Sequence, residues 1–205
     1  MNAPQEKIDH ARQNAQGWAQ SIASMVAALE CDYDRLTDLK DEHESLVHDV
    51  DNLGGKLEAE RKAGRIDQVE LQGEYDDAVT ALDAFKLDSG DELRELTEAA
   101  TLDGDLQENA DDVRERIQES PLSVQVRSGW YSPGEQEQPA DEFEILLTTG
   151  GPALRIRGKL SEHGEPERAW LEYQDWGTGW TEYHGEGLEH SSLMTFCQCF
   201  YFGEG

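Results

Sequence analysis

The chain has 205 residues, of which 45 are acidic and 17 are basic, and its formal net charge at pH 7 is -28. Such a charge opposes direct binding to nucleic acid or anionic membranes and favours basic partners, including surfaces that normally hold DNA or RNA. No apolar stretch approaches the roughly 18 residues of a membrane span, no signal peptide is recognisable, and three cysteines do not make a disulfide framework. We therefore expect a cytoplasmic protein.

The charge is unevenly distributed along the chain. Residues 1–29 are balanced, with two acids and two bases, whereas residues 30–119 contain 29 acids and 10 bases. The remaining residues contain 14 acids, 5 bases and most of the aromatic side chains. The sequence therefore predicts two domains, an acidic helical domain over residues 1–120 and a sheet domain over residues 121–205.

Apolar residues near the amino terminus recur at alternating steps of three and four, which is typical of a heptad seam. The pattern predicts one long helix over residues 5–53, ended by Gly54-Gly55. Asp32 and His43 are polar positions in this seam. They either set the register of the helices or mark places where the seam is loosely covered.

The first predicted helix is longer than the helices that could cover it. Because an uncovered apolar stripe is costly in water, we expect self-association, most simply as a two-fold homodimer. The neutral, alanine-rich segment 8–29 is the predicted contact, since it lacks the repulsion of the acidic segment. The predicted oligomerisation residues are Ile8, Ala15, Trp18, Ile22, Met25 and Leu29.

Two further helices are predicted in the acidic segment. One covers residues 57–87, and the next begins at Ser89, which has the capping-box spacing to Glu92. This last helix is expected to kink near Asp103-Gly104 and to end at Ser120-Pro121, because proline disfavours helix at the preceding residue. Three helices joined by short turns predict an antiparallel coiled coil or three-helix bundle.

The apolar period changes to two after Pro121, which is typical of β-strands. Strands are predicted near residues 122–126, 143–148, 154–160, 168–175 and 181–184. A closing helix is predicted from the spacing of Leu193, Phe196, Cys197 and Phe200. The predicted fold class is therefore α+β, with the helical domain followed by a small antiparallel sheet and a C-terminal helix.

Three bases alternate with apolar residues along one predicted strand: Arg155, Arg157 and Lys159. Such a basic row could bind phosphate. The favoured interpretation is cross-strand pairing, because a turn at Gly150-Gly151 places Glu144 opposite Arg157 and Glu142 opposite Lys159. Opposite charges facing each other across strands contribute roughly 0.2–1 kcal/mol per pair.

The aromatic residues of this domain exceed what one small sheet can cover. Trp170 is expected beside Arg157, on whose guanidinium it could stack. Trp176 and Trp180 flank a glycine turn. They either cover the end of the sheet or form a protein-binding surface, since tryptophan supplies many interface hot spots.

Four stretches of the sheet domain resemble an uncharacterised family of small acidic proteins from phages, prophages and other mobile elements of proteobacteria. The stretches are VRSGWY at 126–131, TTGGPA at 148–153, AWLEYQDWGT at 169–178 and FYFG at 200–203. The resemblance covers most of this domain and is looser over the helices. It assigns no site residues, but it implies a mobile-element protein acting in a host cell, where inhibitors of host defence are common.

No pattern in the sequence indicates catalytic, cofactor-binding or metal-binding chemistry. There is no phosphate-cradling glycine loop with a following lysine, no zinc-type ligand spacing and no EF-hand spacing. Cys197 and Cys199 lie two apart on a predicted helix and so point in different directions. They are interpreted as buried thiols, and the chain is expected to be a non-enzyme without cofactors.

The leading functional hypothesis is nucleic-acid mimicry. The acidic helices would present carboxylates like phosphates, compete for the basic groove of a host restriction or CRISPR-type protein, and bind no nucleic acid themselves. For each acidic run the alternative is an ordinary solvated helix face. The predicted partner-binding residues are Asp41, Glu42, Glu44, Asp76, Asp77, Asp91, Glu92, Glu95, Asp111, Asp112, Glu115, Trp176 and Trp180.

The alternative function is that of a structural or adaptor protein. In this case the coiled coil makes the oligomer, the Trp-rich domain binds a protein partner, and the acidity is incidental. A third hypothesis is an inhibitor that remodels an assembly through both domains. Mimicry predicts binding that salt and duplex DNA disrupt, whereas adaptor binding resists salt and depends on Trp176 or Trp180.

Overall fold

A computed structural model describes residues 9–64, 69–130, 132 and 139–203. The chain divides into two compact units. The sheet unit comprises residues 1–30 and 109–205, and the helical unit comprises residues 31–108. Among the described helices, none is both long and apolar enough to cross a membrane.

The order of the elements confirms the predicted α+β class. The helices are α1 (His10–Leu29), α2 (Tyr33–Lys62), α3 (Val69–Asp88), α4 (Gly90–Ala99), α5 (Ala110–Glu119) and α6 (His190–Gln198). The strands are β1 (Thr101–Leu102), β2 (Asp105–Leu106), β3 (Ser123–Arg127), β4 (Glu142–Thr148), β5 (Ala153–Leu160), β6 (Pro166–Gln174) and β7 (Thr181–Glu182). Helices α1 and α5 belong to the sheet unit, whereas the sequence-based division placed them with the other helices.

The single helix predicted over residues 5–53 is wrong, because the chain leaves the helix between α1 and α2. Asp32 has non-helical backbone angles, and its carboxylate accepts the Arg35 backbone N–H at 3.0 Å. This hydrogen bond satisfies one of the free N–H groups at the start of α2. Asp32 is therefore a helix cap and not a seam residue.

Gly54-Gly55 does not end a helix, contrary to the prediction. Both glycines lie inside α2, which continues to Lys62. A Cβ built at Gly54 would lie 3.3 Å from the Tyr75 ring, so the glycine lets α3 approach α2 closely. After α2 the chain turns through Gly64, which has a positive φ of 67° that favours glycine.

Within the helical unit, α2 packs against both α3 and α4. Arg61 donates a hydrogen bond to Gln72, Gly54 faces Tyr75, and the His43 ring lies 5.6 Å from the Phe85 ring. These pairs run in opposite chain directions, so α2 and α3 form an antiparallel helical hairpin.

Two details at the end of the helical unit differ from the predictions. Ser89 precedes α4 as predicted, but its side chain makes no capping hydrogen bond. The expected kink at Asp103-Gly104 is instead a tight turn joining β1 and β2, which pair antiparallel. Both turn residues have positive φ, and an Asp-Gly pair is a favoured sequence for such a hairpin turn.

The sheet unit contains a five-stranded antiparallel sheet with the order β3-β4-β5-β6-β7. The predicted strands are confirmed, with small differences at their ends. Helices α1 and α6 contact the sheet, and one sheet face supplies the core. The buried sheet residues on this face include Phe143, Ile145, Leu147, Leu154, Ile156 and Leu171.

The alanine-rich face of α1 is buried within the sheet unit. Ala15 and Ile22 are completely buried, and α1 contacts α5, α6 and two strands of the sheet. Small side chains at steps of three and four let the helix lie close to its neighbours. These two predicted oligomerisation residues therefore have partners inside the chain. Trp18, Met25 and Leu29 are half-buried, and Ile8 lies outside the described residues.

Candidate partner-binding surfaces

The face of the sheet opposite the core carries a network of charged side chains. The register places Glu144 opposite Arg157 and Glu142 opposite Lys159, as predicted, and Arg155 opposite Glu172. The network is a consequence of strand alternation, because every second residue of β4, β5 and β6 points to this face.

Glu142 is the acceptor for three bases of the network. Lys159 donates to it at 2.5 Å and Arg157 at 2.8 Å, and Arg127 of the edge strand also contacts it. The Lys159 hydrogen bond, followed by that of Arg127, lowers the pKa of Glu142 to about 2. Only 16% of the side chain is exposed, and this burial opposes ionisation, but the bases outweigh it and keep the carboxylate ionised over most of the pH range.

Arg155 is the second centre of the network. It contacts Glu144 at 2.8 Å and Glu172 at 2.7 Å, and its guanidinium lies 3.9 Å from the centre of the Trp180 ring. Trp170 lies opposite Arg157, as predicted, but the guanidinium nearest its ring is that of Arg168 at 5.9 Å, and the closer stacked pair is Arg155 with Trp180. The Trp170 indole instead donates its N–H to Glu172 at 2.9 Å.

These contacts leave little free positive charge on the sheet for an anion. Each of the three bases in the predicted basic row contacts at least one carboxylate. The structure therefore favours the cross-strand pairing interpretation over phosphate binding. A groove of about 260 Å³ on this face is bordered by Gln125, Arg127 and the network itself.

Trp176 and Trp180, predicted together as partner-binding residues, differ in exposure. Trp180 is half-buried over Arg155, so it covers the sheet as one interpretation expected. Trp176 is 78% exposed and lies against Gly151, where any added Cβ would overlap the indole. The structure thus leaves Trp176 as the accessible indole of this pair.

All of the predicted acidic partner-binding residues are exposed. Several of those in the helical unit also have local partners. Arg35 of α2 holds Glu92 of α4 through two hydrogen bonds of 3.0 and 2.7 Å, which lower the pKa of Glu92. Asp91 contacts Arg94 at 3.2 Å, and Asp76 accepts a hydrogen bond from Gln72. These three carboxylates therefore have contacts within the helical unit and are less available to a partner.

The other predicted acids of the helical unit make no hydrogen bond or ion pair with the described part of the chain. They are Asp41, Glu42 and Glu44 on α2, Asp77 on α3 and Glu95 on α4. Their carboxylates are free to bind a partner.

The three predicted acids of α5 belong to the sheet unit. Asp111 contacts Arg114 at 2.7 Å, and Asp112 accepts a hydrogen bond from the side chain of Asn109. Asn109 itself caps α5 by accepting the backbone N–H groups of Asp111 and Asp112. Glu115 is exposed and makes no such contact within the described residues.

The charge density of the helical unit is comparable with that of a nucleic acid. Residues 31–108 contain 24 acids and 8 bases, a net charge of -16. The longest helix, α2, has 30 residues and is about 45 Å long at 1.5 Å per residue. Because α3 and α4 pack beside α2, the net charge of the whole unit spread over this length amounts to one charge per about 3 Å. The spacing is about 1.7 Å for duplex DNA and about 3.4 Å for one strand.

The cysteines provide no sign of a reactive or metal-binding site. Cys197 and Cys199 are buried, as predicted, and burial raises the pKa of both thiols. Cys31 is half-buried, and burial also raises its pKa. The described residues contain no group of three or more His, Cys, Asp or Glu side chains that could hold a metal ion.

Comparison of the chain with protein-family models, curated proteins and solved structures found no match.

Proposed function

We propose that the helical unit mimics nucleic acid and occupies the basic groove of a host DNA- or RNA-binding defence protein. The main support is a set of exposed carboxylates that make no hydrogen bond or ion pair with the described residues: Asp41, Glu42, Glu44, Asp77 and Glu95. Repulsion between like charges opposes folding of this unit, so these carboxylates add solubility and charge for a partner but no internal stability.

In the proposed mimic, the antiparallel hairpin of α2 and α3 is a short coiled coil that holds the carboxylates in place. Helices hold carboxylates at fixed intervals of 1.5 Å per residue, which a disordered acidic tail cannot do. A rigid array loses less conformational entropy on binding than a flexible one. The helical unit can therefore compete with nucleic acid for a basic groove despite having fewer charges.

The proposed mechanism is competition without turnover. The carboxylates attract a basic groove, and the bulk of the unit excludes nucleic acid from it. The protein acts as an inhibitor, binds no nucleic acid itself and catalyses no reaction. We further propose a restriction or CRISPR-type target in the cytoplasm of the host, as the resemblance inferred from the sequence implies.

The test is affinity capture from a bacterial lysate at low salt, followed by elution with short duplex DNA and mass spectrometry. Mimicry predicts that nucleic-acid-binding proteins leave the column with the DNA. Salt should release the same proteins, because the screening length falls from about 10 Å at 0.1 M to about 3 Å at 1 M. A specific partner that stays bound through both treatments would contradict mimicry.

A second candidate function is that of an adaptor that binds a protein through its sheet unit. The observation that favours it is Trp176, a large apolar side chain that lies against Gly151 and is 78% exposed. Tryptophan is enriched at binding hot spots, where it fills pockets of the partner.

The adaptor function is tested with Trp176→Ala, using Trp130→Ala as the matched control. Both indoles are exposed, but they lie in different loops. The adaptor function predicts that only Trp176→Ala loses a salt-resistant partner in the capture experiment. Equal capture by both variants would rule out Trp176 as the contact. Trp180→Ala is less informative, because it also removes the stacking of Trp180 on Arg155.

A further inference from the structure

The first strand of the sheet, β3, has one edge that no strand of the described residues covers. The sheet order begins with β3, which pairs only with β4. An edge strand leaves about half of its backbone N–H and C=O groups free to pair with another strand. Proteins usually protect such edges with charged side chains, prolines or bulges, or by covering them.

This edge is apolar on the side that continues the core. Val124 and Val126 lie opposite the buried residues Ile145 and Phe143, and so point to the same face of the sheet. Yet the two valines are 39% and 42% exposed, and Leu122 just before them is 59% exposed. Within the described residues, the apolar face of the sheet therefore extends to a border with no strand beside it.

The same segment has an unusual charge for this chain. Residues 120–134 contain one base, Arg127, and no acid, although 45 of the 205 residues are acidic. Two molecules with a net charge of -28 repel each other over most of their surfaces. The β3 edge is a place where two copies can meet without bringing carboxylates together.

The sequence of β3 is also self-complementary about Gln125. In an antiparallel pair of β3 strands centred on this residue, Val124 of each copy lies opposite Val126 of the other. The valines then share one face, and the two Gln125 side chains share the other. The two Arg127 residues are four positions apart along the strands, or about 13 Å, which exceeds the screening length of about 8 Å at physiological salt.

We propose that two copies of this chain associate through antiparallel pairing of their β3 strands, forming one continuous sheet across a two-fold axis. The contact is isologous, as in most homodimers. It differs from the dimer predicted on α1, where Ala15 and Ile22 are already buried within the chain. The proposal does not depend on the identity of the partner of the helical unit.

The first test is analytical ultracentrifugation of the full chain over a range of concentrations. The expected species is a dimer of about twice the 23.0 kDa chain mass. Val124→Lys/Val126→Lys should weaken the dimer by at least about tenfold, because it places four ammonium groups in the contact. The matched control is Thr149→Lys/Thr181→Lys, which adds the same charge at exposed positions away from β3 and should leave the dimer intact.

Disulfide cross-linking is a second measurement, which tests the contact even if the double lysine variant fails to fold. Gln125→Cys is an exposed substitution on the proposed axis, where the two Cα atoms would lie about 4.5–5.5 Å apart. Oxidised glutathione should then form a disulfide-linked dimer through this position. Thr181→Cys and the unaltered chain are the controls and should remain largely unlinked.

A monomeric unaltered chain at tens of micromolar would overturn the proposal. A dimer that persists in Val124→Lys/Val126→Lys, with no cross-link at Gln125→Cys above the controls, would also overturn it. If instead the chain is monomeric and the lysine variant loses capture of a different protein, β3 pairs with that protein and not with a second copy.

Discussion

The two units of the chain use their acidic residues differently. On the charged face of the sheet, Glu142, Glu144 and Glu172 each contact at least one base from a neighbouring strand. In the helical unit, 24 acids face only 8 bases, so most carboxylates have no base to pair with. The net charge of a chain therefore says little about where its charge is available to a partner.

The difference follows from the geometry of strands and helices. Strand register fixes opposite charges directly across from each other, and the covered core face holds the strands in place. Exposed pairs on helices are screened by water and are worth only a few tenths of a kcal/mol each. Removing charge should therefore destabilise the sheet unit and have little effect on the stability of the helical unit.

The largest expected effect is that of Arg155→Ala. Arg155 is 16% exposed, and its loss would leave two carboxylates without their shared base and Trp180 without its stacking partner. We expect the free energy of unfolding to fall by about 3 kcal/mol. This loss is measured by urea denaturation, with tryptophan fluorescence as the signal of unfolding. Arg168→Ala, at an exposed position of β6, removes only a distant contact with the Trp170 ring and should cost less than about 1 kcal/mol. Equal losses in the two variants would contradict a special role for the network.

The next effect is the pH dependence that Glu142 contributes. Its pKa is lowered from 4.5 to about 2 by folding, so its stabilisation is fully present above pH 4.5 and is lost as the pH falls towards 2. This pKa shift would contribute about 3 kcal/mol to the free energy of unfolding if solvent did not screen it. The actual contribution is smaller, because Arg127 and Lys159 are partly solvated.

The comparison of the unaltered chain with Glu142→Gln isolates this contribution. The variant should be less stable at pH 7, by about 2 kcal/mol, and the two free energies of unfolding should converge between pH 4.5 and pH 2. Urea denaturation at several pH values measures both. Curves that stay parallel through this window would show that Glu142 is not the titrating group.

A smaller effect is expected at the break between α1 and α2. Asp32→Ala removes the side-chain acceptor for the Arg35 N–H and should cost about 1 kcal/mol. Asp32→Asn keeps an acceptor and should cost much less. Thermal or urea unfolding distinguishes them, and an unchanged stability in both variants would mean that the cap does not hold this end of α2.

The sheet could be predicted from the sequence because its signals are local and agree with one another. Alternation from Phe143 to Leu160 and one glycine turn determine both the strands and the charge pairs across them. The exposed edge of β3 was not predicted, because its alternation shows a strand but not what lies beside it. The missed signal was the absence of acids around Val124 and Val126.

The helices were predicted less accurately because heptad steps do not reveal a break. Apolar residues continue at steps of three and four across Asp32, although those before it pack in the sheet unit and those after it pack in the helical unit. Gly54-Gly55 looks like a helix end, yet only contact with Tyr75 shows why glycine suits the interior of α2. The hairpin at Asp103-Gly104 could have been predicted, because Asp-Gly is a favoured turn sequence. The helical spacing of the apolar residues around it suggested a kinked helix instead.

The smallest effect on stability is expected from removing the unpaired charges of α2. Asp41→Lys/Glu42→Lys/Glu44→Lys should change the free energy of unfolding by less than about 1 kcal/mol, because these exposed carboxylates make no hydrogen bond or ion pair within the described residues. The substitutions also relieve charge repulsion within the acidic unit, which offsets any loss of helix propensity. Urea denaturation measures the free energy of unfolding, and a large decrease would show that these acids stabilise the fold.

Binding of the partner through the helical carboxylates is tested by repeating the capture experiment with this α2 variant and with a matched variant of the sheet unit. Glu162→Lys/Glu165→Lys/Glu167→Lys makes the same change of charge at exposed positions in and before β6. If the helical carboxylates bind the partner, the α2 variant should retain at most about a tenth of the DNA-eluted protein, and the control should retain most of it. Equal capture by the two variants would contradict the claim that the free charge of this protein acts through its helical unit.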